Sequence, residues 1–432
     1  MSPLNVVKAD SRAGRRAVES LTRRGEAVLD VKTLRRADKI VQEVRKRGDR
    51  SLLEFARKLD GAQADSAAGL ALSPPAEDAS GANLPAGFAE ALERAIGAVE
   101  RFHAPQARTG YRLEEDGVQL EERITPLRRV GLYVPGGRAS YPSTVVMTVV
   151  PARVAGVQEI AVATPPAAYR SNPALRYALS RLGVTEVWGM GGAHAVAAFA
   201  YGTETIRRVD KIAGPGNAWV TAAKKLVMGD VAIDGLAGPS EVVIVADASA
   251  DAGDVAADLL AQAEHDPLAA AVLITTDAKL AKRVSAEIDR QLGWLATAET
   301  ARASLANFGA GLVVKGMEEA LDLVERIAPE HLQLVGAEAE ALSPQVRAAG
   351  AIFIGAASPE VFGDYIAGPS HVLPTCGSAR FASSLGVEDF LRRSHTIRLT
   401  PVAASRRAAA AATLADAEGL PAHAAAARRR LG

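Results

Sequence analysis

The chain has 432 residues, with fifty basic side chains against fifty acidic ones, so its formal net charge is zero. Its length exceeds one ordinary domain and predicts two or more cores, while the balanced charge leaves no basic footprint for nucleic acid or an anionic membrane. A single cysteine, Cys376, excludes an internal disulfide and a thiolate metal cage; any metal must use His, Asp, Glu or Gln, and a reducing, cytoplasmic setting is expected.

The opening stretch MSPLNVVKADSRAGRR has no apolar h-region, and no run of about eighteen apolar residues occurs, so neither a signal peptide nor a membrane span is expected. Leu34, Ala37, Ile40, Val41 and Val44 recur at helical spacing, and Gly48 is expected to stop that helix. From Gly61 to Gly87, small and polar residues with Pro74, Pro75 and Pro85 read as a surface loop without chemistry. Phe88, Leu92, Ile96, Val99 and Phe102 mark a further helix whose stripe reads as core, with a structural His103 at its end. Asp116-Gly117 between alternating runs predicts a hairpin.

From Val130 the chain alternates strands (VGLYV, IAVAT, VTEVWGM, VDKIA, VAID) with helices, one of them capped by Asn172, opened by Pro173 and followed by Gly183. The alternation resumes after Ser240 with VVIVA, AVLITT, GLVV, LQLV and AIFIG. This period predicts an α/β fold with parallel, doubly wound sheets in two similar domains. The Ala- and Arg-rich tail after Thr400 reads as helix.

Candidate chemistry lies in several places. Ser240 sits in a Gly-Pro turn, and the helix after the next strand carries Gln262 and His265 three residues apart, hence on one face. Those two side chains are either half of a metal site or, with Asp258, a solvated polar stripe. Glycine-rich turns follow Tyr133, Trp188 and Ile212; at strand ends such turns take phosphate or are simply tight turns, and none completes G-x-G-x-x-G. Among seven histidines, His331 stands out beside Glu330 after Pro329, offering two bases of differing pKa, whereas His395 reads as structural. His371, His423 and Asp364 are further ligand candidates.

The blocks IDGLAGPSEVVIVAD followed by QAEHDP, with GLYVPGG, KIAGPGNAWV, APEHLQL, GDYIAGPSHVLPT and EGLPAHA, together resemble the histidinol dehydrogenase family, in family order and over nearly the whole chain. The resemblance implies one zinc per subunit on Gln262, His265, Asp364 and His423. It implies Glu330 and His331 as the catalytic pair, and NAD contacts at Tyr133, His194 and Asn217. The substrate contacts would be Ser240, His371 and Glu418 together with Gln262, His265, His331, Asp364 and His423. The implied reaction is NAD-linked, four-electron oxidation of L-histidinol through L-histidinal to L-histidine, in the last steps of histidine biosynthesis. The implied architecture is two incomplete Rossmann-like domains: residues 26–132 with 241–385 carry zinc and the catalytic pair, and residues 133–240 form the NAD side. Residues 1–25 form a helical segment, and the tail 386–432 reaches the partner of a homodimer with shared active sites. Where the family reads GGAQA this chain reads GGAHA, so His194 replaces a cofactor-binding glutamine, and the linker from Asn217 to Ser240 is a few residues short. The rival readings are a zinc hydrolase, a zinc and NAD dehydrogenase for another small hydroxyl substrate, and a binding protein descended from an enzyme.

Overall fold

The structure, a computed structural model, describes residues 4–25, 29–72, 83–136 and 141–431. Pro74 and Pro75 of the expected loop, and part of the turn after Tyr133, therefore lie outside the described residues.

Two six-stranded sheets organise the chain. One contains β1 (Val6–Lys8), β10 (Glu241–Ala246), β11 (Ala270–Thr275), β12 (Ala310–Val313), β13 (His331–Val335) and β14 (Ala351–Ile354), ordered β1-β12-β11-β10-β13-β14 and entirely parallel. The other contains β2 (Ala71–Leu72), β5 (Arg129–Tyr133), β6 (Glu159–Thr164), β7 (Glu186–Gly189), β8 (Lys211–Ala213) and β9 (Ala232–Ile233), ordered β2-β7-β6-β5-β8-β9; only the edge strand β2 is antiparallel. Helices cover both faces of each sheet. Successive residues of β10 show how: Val242, Ile244 and Ala246 enter the core under helices Ala252–Ala263 and Ala278–Gln291, while Val243 and Val245 enter the core under Arg12–Thr22 and Met317–Ile327. A strand buried on both sides must be apolar at every position, which is why these runs do not alternate.

The sheets divide the chain differently from the expected boundaries. Helices Val31–Asp60 and Phe88–His103 and strand β5 belong with residues 159–233, not with 241–385, whereas β1 and helix Arg12–Thr22 join the sheet of 241–354. The cause is side-chain packing: Val41, Val44, Leu52 and Ala56 meet the alanine-rich helix Gly192–Tyr201, and Leu92, Ile96 and Val99 meet helix Pro142–Val154. Gly48 interrupts the helix as expected, its φ of 53° and ψ of −133° being non-helical, and a second helical run follows directly across the kink. The hairpin at Asp116-Gly117 joins β3 (Arg112–Glu115) to β4 (Val118–Pro126), with both turn residues at positive φ.

A strand absent from the sequence expectation, β15 (Leu391–Leu399), pairs with β4 along its whole length. Helices Pro401–Ala417 and Pro421–Arg428 follow it and close on each other through Ala412, Ala415 and Ala424. Among the described residues, no helix is long and apolar enough to cross a membrane.

Candidate active site

Glu330 and His331 lie at the amino-terminal edge of their parallel sheet, the opposite edge from the one where open α/β sheets usually bind ligands. The topology brings the other candidates to that edge. Strand β10 leaves it, helix Ala252–Ala263 returns to it, and so Gln262 and His265 end beside the start of β10, where the Ala270 N–H donates to the Ser240 carbonyl. Helix Glu360–Tyr365 returns likewise after β14. Gly363 makes this possible, because a β-carbon there would stand 2.6 Å from the Phe353 ring. The helix presses on that ring, and Phe353 in turn lies against His331 at 6.0 Å between centroids.

His331 is buried, with Nδ1 3.1 Å from the Glu241 carbonyl oxygen. A carbonyl can only accept, so Nδ1 carries the proton and Nε2 is left as the basic nitrogen. Nε2 has no hydrogen-bond partner among the described residues and stands 3.8 Å from Asp364 Oδ1. Burial lowers the imidazole pKa, against the raising influence of Asp364. Glu330 is pushed the other way: burial, then the neighbouring Glu241 and Asp364 carboxylates, lift its carboxyl well above the usual range, opposed by the Glu241 N–H and the Ser240 hydroxyl. Its Oε2 accepts from the Glu241 N–H at 3.0 Å. The pair thus presents a neutral imidazole base and a carboxylate of unusually high basicity.

His265, Glu360 and Asp364 each offer a ligand atom, all within 4.8 Å of one another. Gln262 is fully buried, and among the described residues neither its amide nitrogen nor its oxygen has a hydrogen-bond partner. An orphaned buried amide costs about 1–3 kcal/mol, which a bound cation would offset. The donors are nitrogen and oxygen only, a set that fits a borderline divalent ion such as zinc. Glu360 was missed in the sequence, although PEVFGDY places it four residues before Asp364 on one helix face. It is 1% exposed, its Oε2 has no hydrogen-bond partner among the described residues, and burial, then Asp364, Glu330 and Asp258, raise its pKa well above the carboxylate range. Asp258 does not sit on a solvated stripe: its carboxylate accepts from Gln333 Nε2 at 2.9 Å. His371 supports Asp364 by bonding its carbonyl through Nδ1 at 3.0 Å, while Nε2 meets the Thr144 hydroxyl of the other sheet's helix at 3.3 Å. Glu418 and His423 are exposed on the tail hairpin, and His423 is not in the ligand cluster of its own chain.

Tyr133, His194 and Asn217 stand at or just beyond the carboxyl ends of β5, β7 and β8. Burial pushes the Tyr133 phenol up to about 12, and its oxygen accepts from the Gly192 N–H at 3.1 Å. His194 is buried, and its shorter side chain turns to Asp60, Nε2 to Oδ2 being 2.7 Å, with Phe55 stacked on the ring. Asp60 also accepts from the Gly191 N–H. The Asn217 side-chain oxygen caps helix Ala218–Val227 through the N–H groups of Trp219 and Val220. The turn before it is clamped by Lys224, which donates to the Gly214 carbonyl and to Asp234, both at 2.6 Å. Asp60, Lys224 and Asp234 had no signal in the local sequence pattern.

Residues 22–431 match the profile of the family described as histidinol dehydrogenase. The chain is 50% identical over 393 residues to the histidinol dehydrogenase of a Synechococcus species, covering 90% of each protein. It is 46% identical over 385 residues to that of Geobacter sulfurreducens, covering 89% of this chain and 90% of the relative. The crystal structure of histidinol dehydrogenase from Elizabethkingia anophelis superposes with a TM-score of 0.87 at 30% identity, covering 100% of this chain and 98% of that one.

Proposed function

The chain belongs to the histidinol dehydrogenase family of NAD-dependent oxidoreductases, and from that premise we propose that it oxidises L-histidinol through L-histidinal to L-histidine. The observation that carries the reading is the state of His331: Nδ1 is held by the Glu241 carbonyl, and Nε2 is free beside Asp364 of the ligand cluster.

In this reading Gln262, His265 and Asp364, with Glu360 beside them, hold zinc, completed by His423 of the partner subunit. When bound, zinc would orient the substrate's imidazole and amino nitrogens, and NAD would accept hydride. His331 Nε2 takes the alcohol proton as hydride leaves the carbinol carbon. Glu330, made basic by its burial, takes a proton from the water that adds to the aldehyde, and the hydrate would then give hydride to a second NAD as its hydroxyl proton is released, leaving the carboxylic acid. Ser240, with its hydroxyl against Glu330, and His371, anchoring Asp364, line the substrate position; the partner's Glu418 would meet the substrate's cationic nitrogen. Tyr133, His194 and Asn217 mark the cofactor side. Two Rossmann-like units, each built on one six-stranded sheet, and a homodimer with shared sites complete the reading. The exposed tail hairpin, packed on itself and on β15, supports the shared sites.

The test separates the two half-reactions. His331→Asn is expected to impair oxidation of histidinol, and Glu330→Gln to impair oxidation of histidinal more severely, each by about 10²–10⁴-fold. Equal losses on both substrates in both variants would remove the separate roles.

A further inference from the structure

Arg24 has no part in the chemistry above, yet its guanidinium is only 3% exposed. It comes from the N-terminal segment, 217 residues before its partner, and pairs with the Glu241 carboxylate at 2.5 Å. Its second nitrogen donates to the carbonyls of Leu268 at 2.6 Å, Ser240 at 3.2 Å and Pro239 at 3.3 Å, and its face lies over the Phe308 ring. Lysine could not reach this carboxylate and three carbonyls at once.

Glu241 passes that anchorage on. Its Oε1 accepts from the backbone N–H of Cys376 at 2.9 Å and of Glu330 at 3.3 Å. The backbone of the same residue holds the chemistry itself: its N–H meets Glu330 Oε2 at 3.0 Å, and its carbonyl meets His331 Nδ1 at 3.1 Å. Residue 241 therefore touches both members of the pair, and among the described residues Arg24 supplies the charge that keeps its buried carboxylate in place.

We propose that Arg24 and Glu241 are a positioning pair that fixes the Glu330 carboxyl and the His331 tautomer, so that the N-terminal segment is a working part of the site. This rests on the reading of Glu330 and His331 as the catalytic pair. If the anchor is lost, the first residue of β10 shifts and carries both contacts with it; a displacement of about 1 Å at a reacting group costs on the order of 10²-fold in rate.

The test compares Arg24→Lys, Arg24→Gln and the double variant Arg24→Gln/Glu241→Gln with Glu330→Gln and His331→Asn, all in the full-length protein loaded with zinc. The readouts are kcat, KM for histidinol and for NAD, zinc content by elemental analysis, and the melting midpoint. Arg24→Lys should keep the zinc content and the KM for NAD while kcat falls about 10–100-fold. Arg24→Gln should melt lower, because it strands a buried carboxylate; the double variant should recover the melting midpoint, with both charges gone, and still show the low kcat. Should Arg24→Gln fail to fold, the other two variants decide. Wild-type kcat in Arg24→Lys, or in a double variant that melts like wild type, would overturn the positioning pair, and if Glu330→Gln and His331→Asn are impaired in that same experiment the catalytic pair survives alone. Wild-type kcat in Glu330→Gln and His331→Asn would instead remove the catalytic reading, and this proposal with it.

Discussion

His331 and His103 are both buried imidazoles, and their neighbours separate a working base from a packed ring. His331 has one nitrogen held and the other aimed at Asp364, whereas among the described residues neither nitrogen of His103 has a hydrogen-bond partner and its ring packs T-shaped with Phe102. Burial lowers the His103 pKa from 6.5, so between 6.5 and that lower value the unfolded chain binds more protons than the folded one. Stability from this residue is therefore complete above about pH 6.5 and is lost as pH falls through that value towards the folded pKa. His103→Leu should flatten the fall in melting midpoint between about pH 7.5 and pH 5.5, with His331 and His371, also lowered by burial, supplying the remainder. Parallel pH profiles for the two proteins would contradict it. Glu330 with His331, and Gln262 with His265, were legible because each pair is local in the chain. Arg24 and Glu241 were not, since nothing near either residue indicates that folding will bury them together.

Segment Val31–Asp60 shows a local stop signal at work, two helical runs meeting at a kink on the non-helical Gly48. Its stripe resumes after Gly48 with Ser51, Leu52 and Ala56, and the kink is held by Glu204, which accepts from the Asp49 N–H at 2.7 Å. A β-carbon at residue 48 would stand 2.2 Å from that carboxylate, on a backbone that side chains rarely adopt. Gly48→Ala should thus cost about 1–3 kcal/mol of stability, read as a lower melting midpoint or denaturant midpoint; an unchanged midpoint would mean the kink is not required. Strand β15 escaped the sequence reading because its pairing partner lies far away in the chain. LRRSHTIRL carries three arginines in nine residues, and it becomes a strand because β4 offers it nine partners from a distant part of the chain.

For the molecule as a whole, the two parallel sheets were legible in their apolar runs, but the assignment of helices to sheets was not, because many apolar stripes fit either sheet until packing selects one. The tail leaves apolar side chains uncovered: Ile397, Val402 and Leu414 are each more than 60% exposed, at 69%, 61% and 67%. If it completes the site of a partner, co-expressing His265→Ala with His423→Ala, each inactive alone, should restore up to about one active site per mixed dimer. Mixed dimers that exist but remain inactive would reject shared sites and leave the metal assignment standing. A double oxidation at one site is read out by the yield of NADH. With limiting histidinol and excess NAD, about two NADH per histidinol are expected, with histidine as the product, and loss of turnover on chelation with recovery on added zinc. A yield of one NADH with aldehyde accumulating, or consumption of histidinol without NADH, would contradict it.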